Sequence, residues 1–111
     1  MRGIRAIALT ALLFGALPAD AAPDYKYCEI AGLAFGSNKD FVGSVAARIV
    51  DRQGLTGEAG CQAVWQDAYK TGQRLSAGGH WTTLDSVKWR KLQDFETRVL
   101  DSVINGLQLG V

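Results

Sequence analysis

From Tyr25 onward, apolar and small side chains recur at helical spacing. Between residues 25 and 53 they are Cys28, Ala31, Phe35, Val42, Val45 and Ile49, with a polar gap at Asn38. Between 57 and 75 they are Cys61, Val64, Trp65, Ala68, Tyr69 and Leu75, and Trp65 and Tyr69 are expected in the core. The longest run, 83 to 107, sets Leu84, Val87, Leu92, Phe95, Val99, Val103 and Leu107 on one face. Thr82-Thr83-Leu84-Asp85 has the form of a capping box at its start. Asp94 precedes Arg98 by four residues, the favourable order for a helical ion pair. No segment alternates strictly with β-branched residues, so no sheet is expected.

Two cysteines constrain how these runs fold. An unbroken helix over 25 to 53 would carry Cys28 about 37 Å from its far end, at about 1.5 Å per residue. Cys61 opens the next run near that far end, whereas a disulfide needs Cα atoms within about 7 Å. Gly36 offers a stop, and Ser37-Asn38-Lys39-Asp40 reads as a capping box for a new start. The expectation is a short helix near 25 to 35 that folds back on a second near 38 to 53, with Gly54 ending it. The competing arrangement is one straight helix with the cysteines free or bridging two chains. Its heptad-like spacing from Cys28 to Ile49 would then form the seam of a homodimer.

The first 21 residues read differently. Arg2 and Arg5 precede a 12-residue apolar run, Ala6 to Leu17, which Pro18 ends before Ala19-Asp20-Ala21. Charged, apolar and small-residue regions in that order describe a secretory signal peptide cleaved near Ala21. The run is too short to span a bilayer, which takes about 20 apolar residues. The domain reading is therefore 1–21 signal peptide and 22–111 single helical domain, periplasmic or secreted. In such a compartment a Cys28–Cys61 disulfide is the default state of the pair.

Composition narrows function mainly by exclusion. The 111 residues are 48% hydrophobic and 21% charged, ordinary for one small globular domain. The formal charge is +1, and losing Arg2, Arg5 and Asp20 from the 12 basic and 11 acidic side chains brings it to zero. No such balance steers a protein to phosphate backbones or anionic lipids, so nucleic acid and stable membrane insertion are not expected. With one histidine and two cysteines destined for a disulfide, no zinc set is expected. Carboxylates at Asp24, Asp40, Asp51 and Glu58 follow no calcium-loop pattern, and no cofactor is expected. Gly54, Gly57 and Gly60 follow no strand, which argues against a phosphate loop.

The residues left for chemistry are few. His80, the single histidine, sits beside Trp81 in Ser76-Ala77-Gly78-Gly79-His80-Trp81, between the third and fourth helical runs. No Gly-x-Ser-x-Gly elbow accompanies it. The basic cluster Lys88, Arg90 and Lys91 is interleaved with Asp85, Asp94 and Glu96 and reads as a solvated face. An exposed Trp in a glycine-rich loop is a candidate interface anchor. The sequence therefore reads as a small all-α, four-helix domain, stapled once, in which His80 and Trp81 dock on a protein partner in the cell envelope as an inhibitor or immunity-type protein would. The alternative is a small envelope hydrolase using His80 and a nearby carboxylate.

Overall fold

The computed structural model describes residues 24–109, so the signal-peptide reading lies outside the described residues. The described chain is four helices: α1 (Lys26–Gly36), α2 (Asp40–Arg52), α3 (Ala59–Ser76) and α4 (Thr83–Leu109). No strand occurs among the described residues. None of the helices is long and apolar enough to cross a membrane.

Helix α1 is the centre. Cys28, Ile30, Ala31, Gly32, Leu33, Ala34 and Gly36 are all buried, so the helix is covered on nearly every side. α3 packs along it so closely that a Cβ on Gly32 would overlap the Trp65 carbonyl, and one on Gly36 the Tyr69 carbonyl. Gly72, one turn further along α3, lies equally tight against the α1 backbone at Leu33. Small residues four apart thus let two helix backbones touch, and the same approach holds the Cys28 and Cys61 Cα atoms 5.5 Å apart. The Cys28–Cys61 disulfide is intramolecular, and no free cysteine remains among the described residues.

The chain reverses after α1 as expected, but not by the expected chemistry. Gly36 belongs to the helix, and its role is the contact with α3. The left-handed residue is Asn38, at φ 66°. Its N–H donates to the Phe35 carbonyl at 3.2 Å, and that of Lys39 to the Ala34 carbonyl at 2.8 Å. This pair of bonds is a Schellman motif. Ser37 turns its hydroxyl back to the Leu33 carbonyl, 2.8 Å away. It does not cap α2, which starts after Lys39 with no side-chain cap.

The same motif closes α2 and α3. Gly54 (φ 75°) and Gly78 (φ 86°) are the left-handed residues. Leu55 N–H reaches the Val50 carbonyl at 3.1 Å, and Gly79 N–H the Arg74 carbonyl at 3.1 Å. α3 opens under a cap the spacing did not suggest: the Glu58 carboxylate accepts from the Cys61 N–H at 2.8 Å. Its second oxygen accepts from the Tyr25 hydroxyl at 2.8 Å, which ties the start of α1 to the start of α3 beside the disulfide.

The main core joins Ile30, Leu33, Val42, Ala46, Ala68, Leu75, Leu92, Phe95 and Val99. A smaller cluster surrounds the disulfide with Val50 and its neighbours. α4 has 27 residues, about 40 Å of helix at about 1.5 Å per residue. Its buried apolar contribution is confined to the middle, at Leu92, Phe95 and Val99. Leu84, Val87 and Val103, which share their periodicity, are exposed. The reason is geometric, because α4 outreaches the helices beneath it. Tyr69 is likewise exposed rather than in the core, while Trp65 is half-buried and stacked on Phe35 at 5.8 Å. Asp94 and Arg98 do not form an ion pair among the described residues. The ion pairs instead join α4 to other elements: Lys39 of the α1–α2 turn to Glu96 at 3.2 Å, Arg74 of α3 to Asp85 at 2.9 Å and Glu29 of α1 to Lys91 at 3.9 Å. α4 continues through Leu109. Of the stripe from Cys28 to Ile49, Cys28, Ala31 and Val42 are buried within the chain's own core, and Phe35, Val45 and Ile49 are half-buried.

Candidate binding surface

The loop carrying His80 and Trp81 is built from its two flanking helices. α3 ends at Ser76, and the Gly78 turn sends the chain back across the Arg74 side chain. The Arg74 guanidinium forks onto Asp85: one nitrogen lies 2.9 Å from Oδ1 and the other 3.1 Å from Oδ2. That second nitrogen also donates to the His80 carbonyl at 3.0 Å. Asp85 Oδ2 accepts from the Thr82 N–H at 2.9 Å, and the Thr82 hydroxyl accepts from the Asp85 N–H at 3.1 Å. The capping box read at Thr82 to Asp85 is therefore present, and an arginine from the preceding helix completes it.

Charge explains why this knot holds. Asp85 is nearly buried, and the Arg74 hydrogen bonds, followed by the Thr82 N–H, drive its carboxyl far below the usual carboxylate range. The Arg74 guanidinium is pushed up in turn by its bond to Asp85. A bidentate arginine–carboxylate pair has a fixed planar geometry, so it orients the loop as well as attaching it.

On this frame Trp81 stands 39% exposed. Its ring meets the edge of Trp89 at 5.4 Å and 73°. Trp89 is half-buried, and Lys39 Nζ lies 5.9 Å from the centre of its ring. Leu84 and Val87 follow at intervals of three, 61% and 47% exposed. Trp81, two residues ahead of α4, and Leu84 and Val87 in its first turns are thus three exposed apolar side chains, a stripe in sequence, at the amino-terminal end of the helix. Periodicity put Leu84 and Val87 on the helix's apolar face, but not the fact that nothing in the chain covers them.

His80 has a different part. It is exposed, and its backbone carbonyl is the group that Arg74 holds. The nearby carboxylate, Asp85, already accepts from Arg74 and Thr82. No group of three or more His, Cys, Asp or Glu side chains converges for a metal ion among the described residues. Lys88 is half-buried, Arg90 is exposed, and Lys91 reaches Glu29 of α1.

A separate feature lies near the other end of α3. A cleft of about 630 Å³ opens beside the disulfide, between α2, the Gly54–Gly57 turn and the first turns of α3. Val50, Leu55 and Trp65 supply its apolar walls and Asp51 stands among its polar ones. The glycines mark the turn in the sequence; the hollow depends on how the two helices splay around it. No protein-family model, no curated protein and no solved structure matches the chain.

Proposed function

We propose that the domain is exported and works as a binding module, docking through the Trp81–Leu84–Val87 stripe on a protein partner in the cell envelope, in the manner of an inhibitor or immunity-type protein. Export rests on the order of charged, apolar and small residues in the first 21 positions and on the intramolecular disulfide, which is favoured in an oxidising compartment.

The observation that carries the docking proposal is a large aromatic held half-exposed on a fixed base. Trp81 is backed by Trp89, its loop is pinned by Arg74, and it continues into two exposed aliphatic residues on a helix. Rigid exposed tryptophans dominate binding energy at protein interfaces, because they bury much area with few rotamers to lose. A full interface would cover about 800 Å² on each partner, so the stripe would form its centre and not its whole.

The test is recovery of partners from envelope extract with the wild-type chain and with Trp81→Ala and Leu84→Ser. A partner retained by the wild type and lost from both variants supports the proposal, with an affinity at least about 2 kcal/mol weaker for Trp81→Ala. A partner retained equally by all three places the docking surface elsewhere.

A further inference from the structure

The cleft beside the disulfide is near the opposite end of α3 from Trp81 and has its own chemistry. Its volume of about 630 Å³ lies within the range of roughly 300–1,000 Å³ typical of small-molecule sites. Val50 and Cys61 form part of the wall and are themselves buried to 2% exposure. Trp65 adds an aromatic surface whose orientation is held by its stack on Phe35, 16° from parallel.

The walls are also built in advance. The α2–α3 turn is closed by the Leu55-to-Val50 hydrogen bond at the end of α2. On its other side Glu58 is fixed between the Cys61 N–H and the Tyr25 hydroxyl. The disulfide ties α3 to α1 at the same level. A pocket whose walls are already held loses little conformational entropy when it fills.

The charge of the lining selects the occupant. Among the described residues Asp51 is the only charged side chain that lines the cleft; Thr56, Gln62 and Gln66 are its neutral polar neighbours. The Thr56 hydroxyl donates to Asp51 Oδ1 at 3.2 Å, leaving Oδ2 without a described hydrogen bond. Arg48 and Arg52 lie on the same helix and are exposed, and neither forms an ion pair with Asp51 among the described residues. An apolar hollow with an aromatic wall and one carboxylate is complementary to a positive charge carried on an apolar body.

We propose that this cleft is a binding site for a small amphiphilic organic cation, with the apolar body against Val50, Leu55 and Trp65 and the cationic head at Asp51. The site is separate from the Trp81 stripe and does not depend on the docking proposal.

Three probes with the same body separate charge from hydrophobicity: 4-phenylbutylamine, 4-phenylbutanol and 4-phenylbutyrate. Each is titrated into the purified chain while the backbone amides and tryptophan indoles are followed by nuclear magnetic resonance. The amine is expected to bind saturably, shifting the Trp65 indole and the amides from Asp51 to Gln66, with the butyrate at least about tenfold weaker. Asp51→Asn should weaken the amine to the level of the alcohol and leave the alcohol unchanged, and thermal unfolding confirms that this exposed substitution leaves the fold intact. Equal binding of amine and butyrate would overturn the proposal. So would shifts centred on Trp81 instead of Trp65, or no saturable binding up to on the order of 10 mM.

Discussion

Gly36 of α1 lies so close to Tyr69 of α3 that a single methyl group on it would overlap the Tyr69 carbonyl oxygen. The obstacle is backbone, which cannot swing aside as a side-chain tip would. Gly36→Ala and Gly32→Ala should therefore force α1 and α3 apart and destabilise by roughly 1–3 kcal/mol or more. Gly106→Ala is the control, since nothing lies within 4 Å of its Cβ position and alanine is the better helix former. That variant should gain up to about 1 kcal/mol. Denaturant unfolding of the three variants checks both signs.

The disulfide joins residues separated by 33 positions. Closing a loop of that size stabilises the folded state by about 4 kcal/mol on the chain-entropy estimate. Unfolding in the presence and absence of reductant should show that difference. Under denaturing conditions the chain should have the monomer mass with or without reductant, as an intrachain bond requires.

The length of α4 predicts an uneven response along one helix. Leu92 has no exposed surface, and Leu92→Ala should cost about 2–5 kcal/mol. Leu84→Ser, two turns earlier on an exposed position, should change stability by no more than about 0.5 kcal/mol. If the two substitutions proved equally damaging, a further surface would have to cover the start of α4.

Acid should loosen the molecule at two identified carboxylates. Glu58 is held below its ordinary value of 4.5 by the Cys61 N–H and then by the Tyr25 hydroxyl. Asp85 is held below 3.8 by Arg74 and then by the Thr82 N–H. A carboxylate depressed in the folded state adds stability that is complete above its unfolded value and is lost as pH falls through the folded one. The melting temperature should therefore hold steady in this respect above about pH 5 and decline below it. Asp85→Asn and Glu58→Gln should each flatten part of that decline. An unaltered acid slope in both variants would show that other groups govern it.

Much of the fold was legible because helical periodicity and one covalent constraint act together. The spacing around Leu92, Phe95 and Val99 revealed α4, and the distance requirement on Cys28 and Cys61 revealed the reversal near Asn38. The mechanism of the reversal was harder to read, because Gly36 and Asn38 both suit a helix end. Glycine also serves where two backbones meet, and that second use is invisible without the partner helix. Leu84, Val87 and Val103 show the same limit from the other side: periodicity says which residues share a face, not whether anything lies against it. At the candidate surface, the Thr82–Asp85 cap was legible from local spacing. The Arg74 fork spans two helices and was not. Trp81 was found by its place after two glycines, whereas the cleft at Trp65 arises where α2 and α3, both packed on α1, splay apart around their connecting turn.

The bond between Cys28 and Cys61 encloses α2 and most of α1 in a covalent ring, with α3 starting at its closure and α4 wholly outside it. α4 is attached by a short central band of apolar contacts and by ion pairs from α1, α3 and the α1–α2 turn. Resistance to opening is then graded along the chain, highest where the ring is pinned and lowest in the last helix. Transient release of α4 would bare the part of the core that Leu92, Phe95 and Val99 cover while the remainder stayed folded, so amides in α4 should exchange with solvent well before those of α1.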